Sequence, residues 1–206
     1  MLGFGPDMIF MIPALLIALT VHEYAHARAA VALGDPTPRY AGRLTLNPIP
    51  HLDPLGLIML WLFQFGWAKP VPINPYNIDH GRWGLLSVSL AGPGANILTA
   101  FIAALTYALM VKTSLANPEV LKVVAWTYRL NLVLAVFNLI PLPPLDGAQI
   151  VSSLLPGRQA YAYERIAPYG PFILMGLVYL GVIGMFTRPI ERVLSSIISA
   201  LVALIT

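Results

Sequence analysis

Long apolar runs, separated by short polar stretches rich in proline and glycine, set the pattern of the chain and predict most of its elements. The first run covers residues 8–33 and ends at Gly34-Asp35-Pro36, a combination that stops a helix. Its uncharged part, residues 8–21, would rise only about 21 Å as a helix, short of the roughly 30 Å hydrocarbon core of a bilayer. The polar residues that follow it are therefore expected inside the membrane. A second apolar run covers residues 85–111, and a third covers 121–140 before Pro141, Pro143 and Pro144 end it. A fourth is expected at 171–186. Residues 190–206 form an apolar tail whose periodicity leaves open whether it crosses the membrane or lies along it.

Between the first and second runs the pattern changes. Residues 35–54 are rich in Pro, Gly and Asn, and residues 40–46 alternate side chains as a short strand does. Residues 55–65 are apolar but too short to span, which predicts a re-entrant or interfacial helix. Prolines keep residues 66–75 extended. The expected fold is an all-α membrane protein: a polytopic bundle of about four to five spans, with a short β or extended re-entrant region near residues 36–76. The whole chain, 1–206, reads as a single integral membrane domain.

Composition strengthens this picture. Hydrophobic residues make up 58% of the chain and charged residues 10%, against about 25% charged in a soluble domain. The net charge of +3 is scattered through loops with no basic run, which argues against nucleic-acid binding. The opening Gly3-Phe4-Gly5-Pro6-Asp7 has no basic n-region, so the first run is expected to be retained rather than cleaved. Arg39, Arg43, Lys69, Arg82, Arg158 and Arg165 fall in two larger loops, which the positive-inside rule places in the cytoplasm of a multi-pass cell-membrane protein. With no cysteine, any bound metal must use His, carboxylate or amide ligands.

The first run contains His22-Glu23-Tyr24-Ala25-His26, an H-E-x-x-H pattern. At about 100° per residue, the two histidines share one helix face and can grip one ion, for which zinc suits the ligand set. Glu23 then lies beside the metal, where a carboxylate can take a proton from water and pass it to a leaving amine. Three ionisable residues within a span, at up to about 2.5–3.5 kcal/mol each, call for a common partner.

A catalytic zinc needs a third protein ligand and keeps one position for water. Position 32, where a longer zinc-protease pattern would carry another histidine, is Ala32. His51 and His80 lie in loops. Asp7 and Glu119 belong to the far ends of their spans. Asp35 suits a turn, Glu164 and Glu191 adjoin arginines, and Asp53 and Asp79 are in polar loops. Asp146 follows a proline-rich return from the third span, on the side expected for His26. It suits a ligand, and it equally suits a cap for a helix starting near Ala148.

His22 to His26 together with Leu145-Asp146-Gly147 resembles the site-2 protease family of intramembrane zinc metalloproteases. The resemblance extends through Gly34-Asp35-Pro36-Thr37-Pro38, Gly42-Arg43, Asn47-Pro48, His51-Leu52-Asp53-Pro54 and Lys69-Pro70-Val71-Pro72. It also covers Ala91-Gly92-Pro93-Gly94-Ala95-Asn96 and the stretch from Asn138 to Gly147. These blocks are similar to short prokaryotic members without a PDZ or CBS domain, and the last 50 or so residues match no block. The resemblance implies one zinc per chain held by His22, His26 and Asp146, with Glu23 activating water. It also implies single-span membrane proteins as substrates, cleaved in or near their spans, and an active site nearer the cytoplasmic side. Oligomeric state stays open.

Asn96 and Asn138 are candidates for stabilising the tetrahedral oxygen or holding substrate backbone, and equally for bonding between helices. Arg129 and Asn131 are expected to snorkel or pair within the bundle, and Gly92, Pro93 and Gly94 to let helices approach. His51 and Lys69 are left between the site and the surface. A substrate helix must be extended before its backbone can be cut, and residues 40–46 and 69–75 offer an edge for that. The competing reading is a non-proteolytic metal-binding membrane protein or metal transporter, which explains buried ligands but not Glu23 at its offset.

Overall fold

The computed structural model describes residues 7–63, 66–113 and 117–206. The opening residues read above for a cleavage signal, and the end of the 55–65 run, lie outside them. Among the described residues the structure is all-α. Three helices are long and apolar enough to cross a membrane: α1 (Met8–Ala32), α4 (Arg82–Lys112) and α5 (Pro118–Asn138). Short helices α2 (Thr37–Tyr40) and α3 (Pro54–Phe63) lie between α1 and α4; α6 (Asp146–Leu154), α7 (Gly157–Glu164), α8 (Gly170–Tyr179) and α9 (Val182–Ile205) follow α5.

α1, α4 and α5 pack on one another as the core of the bundle. In lipid the aqueous hydrophobic effect does not drive helices together, so close packing of small residues has to do it. Ala14, Ala18, Ala27 and Ala30 of α1, Ala100 of α4 and Ala135 of α5 are each fully buried. Large apolar side chains such as Ile9, Ile12, Leu98 and Ile102 instead face outward, where lipid is their solvent. Asn117 caps α5, its Oδ1 accepting the N–H groups of Glu119 and Val120, with Pro118 opening the first turn. Lys122 and Asp7 pair at 3.1 Å, tying the starts of α5 and α1 together at the end away from His26.

Two expectations change. The fourth span, expected unbroken over 171–186, is split: α8 ends at Tyr179 and α9 begins at Val182. Gly181 between them is left-handed, with φ 71°, a turn that needs glycine, and the run Gly157–Tyr179 meets α9 at 79°. Counting that pair as one span gives four. The tail at 190–206 continues α9, which packs on α5 and α4 through Ile198 and Val202.

Nor do residues 40–46 form a strand. Tyr40 ends α2, the chain turns at Ala41–Gly42 with Gly42 at φ 67°, and Tyr40 and Leu46 are exposed. Arg43, within that alternating stretch, is buried and bonds loop backbone instead of facing a sheet. Among the described residues extended pairing occurs elsewhere, as one antiparallel bridge between Leu52 and Ala68, with Lys69 N–H donating to the His51 carbonyl at 2.9 Å. α3, at ten residues, is too short to span, as expected.

Candidate metal centre

The helical spacing puts His22 and His26 one turn apart on α1, and their rings meet edge to face with centroids 4.6 Å apart. Both are buried. Each Nδ1 is engaged by an acceptor on α4: His22 with Asn96 Oδ1 at 2.6 Å, and His26 with the Val88 carbonyl at 2.8 Å. A carbonyl oxygen can only accept, so Nδ1 carries the proton and each Nε2 offers a lone pair. Those two Nε2 atoms lie 3.1 Å apart. Two lone pairs at that distance repel unless a cation lies between them.

α6 supplies the third corner. Asp146 is the first residue of that helix, and the capping position before it is Leu145, whose side chain makes no capping bond. Its Oδ2 lies 3.3 Å from His22 Nε2 and 3.2 Å from His26 Nε2, and it is buried without a hydrogen-bond partner. Tetrahedral zinc with bonds of about 2.0–2.1 Å separates its ligand atoms by about 3.3 Å. The triangle thus has the size of one face of a zinc site, and a buried carboxylate oxygen with no hydrogen-bond partner suits a cation. Among the described residues this is the one group of His, Cys, Asp and Glu side chains gathered closely enough to hold a metal.

Two glycines make the arrangement possible. A Cβ on Gly92 of α4 would fall on His26 Nε2 and within 2.7 Å of His22 Cε1. The close approach expected of Gly92 is thus an approach to the histidines themselves. A Cβ on Gly147 would meet the carbonyls of Leu139 and Ile140, so this glycine lets the return loop fold tightly onto the end of α5.

Asn96 is fully buried and has no spare donor: its Nδ2 bonds the Ala18 carbonyl at 3.0 Å and Asn131 Oδ1 at 2.7 Å. Asn131 in turn bonds the Thr127 carbonyl at 2.8 Å. A buried chain of amides therefore runs from α5 through α4 to His22. Asn138 donates one amide hydrogen to the Leu134 carbonyl of its own helix.

Glu23 is buried, and its Oε2 accepts the Val71 N–H at 3.0 Å. His51 is not part of the triangle. It is buried, donating from Nε2 to the Thr45 carbonyl at 2.9 Å, while Nδ1 faces an Arg43 nitrogen at 3.2 Å. Lys69 is exposed, but its carbonyl accepts from Arg43. Burial pulls the Arg43 guanidinium below its usual range and the charge of Glu23 acts in the opposite sense. Asp35, read from sequence as a turn residue, does more. It accepts from Thr37 N–H at 3.0 Å, as a turn aspartate does, and also from Asn74 N–H at 2.8 Å and Asn77 Nδ2 at 3.3 Å. Val71 and Val88 act through backbone groups, which no sequence pattern marks. For Asp35 the available signal was the pair of asparagines at 74 and 77.

A bundle of apolar helices that brings two histidines and one carboxylate together, with a buried glutamate next to one of them in sequence, has the make-up of a candidate intramembrane metal centre. The sequence profile described as Peptidase family M50 matches residues 106–180, a stretch that contains Asp146 but not the two histidines. The chain is 38% identical over 188 residues to YwhC of Bacillus subtilis, covering 87% of this chain and 84% of that protein. It is 32% identical over 189 residues to Rip2 of Mycobacterium tuberculosis, covering 87% and 69%. Both relatives are named as zinc metalloproteases. No solved structure matches the chain. The protein belongs to peptidase family M50.

Proposed function

We propose that His22, His26 and Asp146 hold the zinc of this intramembrane metalloprotease, and that Glu23 is its general base and acid. The substrates proposed are single-span membrane proteins. The observation that carries the site is the triangle of His22 Nε2, His26 Nε2 and Asp146 Oδ2, with edges of 3.1 to 3.3 Å around a buried, unpartnered oxygen. Zinc bound there supplies Lewis acidity toward a scissile carbonyl and makes water a better acid. The rest is done by the chain. Asn96 and Val88 hold the imidazoles with Nε2 inward. Glu23, with Oε2 engaged by Val71, has Oε1 to accept a proton from the attacking water and return it to the leaving amine. Asn96 has both amide hydrogens engaged, so its role is to position His22, and of the two asparagines only Asn138 retains a hydrogen for the tetrahedral oxygen.

The chain acts as one integral membrane unit over 1–206. The basic residues of the two larger loops support a site nearer the cytoplasmic face. A metal transporter is not favoured, because transit needs no buried glutamate beside the ligands. The test uses purified protein in proteoliposomes with a single-span substrate. Glu23→Gln should lose cleavage and keep one zinc per chain. Failure of the zinc-loaded wild type to cleave any of a panel of spans would overturn the proposal.

A further inference from the structure

Glu23 is held by a segment with no regular secondary structure of its own. Residues 69–74 run as an extended strap whose prolines at 70 and 72 leave few N–H groups to bond anything. Val71 N–H, between those two prolines, donates to Glu23 Oε2. Such a strap needs outside anchors to stay in register, and it has one at each end.

At the near end Arg43 is almost fully buried, with 4% of its surface exposed. Its two terminal nitrogens bond the carbonyls of Lys69 and Pro70 and His51 Nδ1. A planar guanidinium can grip two successive carbonyls at once, which a lysine ammonium matches poorly. His51 completes the post by bonding Thr45 and, through its carbonyl, Lys69 N–H. At the far end the Asp35 carboxylate, just past the end of α1, accepts the N–H of Asn74. α1 carries Glu23 as well, so helix and strap are locked together on either side of the Val71–Glu23 bond.

We infer that this strap, fixed by Arg43 and Asp35, is the element that positions Glu23 for catalysis through the Val71 N–H. Holding Oε2 fixes the carboxylate plane and leaves Oε1 for the water. Arg43 and Asp35 are positioning residues: they touch the strap, and the strap touches Glu23. The inference rests on Glu23 being the base.

The test compares Val71→Pro, which deletes the N–H in a segment already extended between prolines, with Val71→Ala, which keeps it. Full-length, zinc-loaded variants in proteoliposomes are assayed on one single-span substrate for kcat, KM and zinc content. The inference predicts kcat for Val71→Pro at least tenfold below Val71→Ala, with KM within twofold and zinc content equal. Arg43→Lys should lower kcat in the same way, by less. Equal kcat in the two Val71 variants would overturn the inference. So would a loss carried by KM, which would make the strap a substrate-binding edge. If Val71→Pro fails to retain zinc, Arg43→Lys decides: a kcat-only loss with zinc bound supports the inference, and zinc loss in both overturns it. Glu23→Gln in the same assay separates the two readings, since its activity tests the base alone.

Discussion

At the scale of single residues, the proposed metal centre depends on groups outside the triangle of His22, His26 and Asp146. Gly92 is the sharpest case, because any side chain there would collide with both imidazoles. Gly92→Ala should weaken zinc binding by at least tenfold, measured by competition with a chromophoric chelator; unchanged affinity would mean the helices separate freely. Asn96 is the side-chain partner of His22 Nδ1 among the described residues, and loss of such an outer partner typically costs about 10–100-fold in metal affinity or activity. Asn96→Ala should show that loss in zinc affinity, and Asn131→Ala, one bond further out, a smaller one. The H-E-x-x-H pattern was legible because helical geometry alone brings positions four apart onto one face. Asp146 was legible as a candidate only. Nothing local separates a ligand from a cap, and what supports the ligand reading is that the return loop brings Asp146 beside both histidines.

At the scale of elements, the strap and its anchors show why the loop region was read less well than the spans. Residues 40–46 alternate like a strand, yet Gly42 turns the chain and Arg43 bonds the backbone of a segment 26 residues away. Alternation cannot distinguish a side chain that faces a sheet from one that clamps a loop. The fourth span failed for a similar reason: hydropathy continues across Gly181, and only the backbone shows the 79° break. The anchor at Asp35 has a pH signature. Burial would raise its carboxyl, but hydrogen bonds from Thr37, Asn74 and Asn77 overcome that and hold it below its ordinary value. A depressed folded-state value means the anchor's contribution is complete above the unfolded pKa of about 3.9. It is lost as pH falls through the lower folded value. Protection of the Asn74 amide, its exchange rate relative to an unstructured amide at the same pH, should therefore hold down to about pH 4 and fall as pH drops further. In Asp35→Asn, exchange there should already be fast at neutral pH; equal protection in both proteins would contradict the anchoring role.

At the scale of the whole molecule, the bundle and the metal centre are separable. α1, α4 and α5 each bury alanines whose packing requires no ion. Chelation should therefore abolish cleavage while leaving the helical circular dichroism in nanodiscs unchanged; a large loss of helix would show that zinc holds the bundle together. The outward-facing Ile and Leu side chains place this core in lipid, so the triangle of His22, His26 and Asp146 and the buried Glu23 lie in a water-poor setting. There, ionisable groups are retained only with partners. The central claim is that His22, His26 and Asp146 are the protein ligands of that ion. It is tested most directly by zinc K-edge X-ray absorption on the zinc-loaded wild type and Asp146→Ala in nanodiscs. The wild type should show two imidazoles and oxygen ligands at about 2.0–2.2 Å. Asp146→Ala should lose an oxygen ligand or the zinc itself, whereas an identical spectrum at identical zinc content in both proteins would contradict the account.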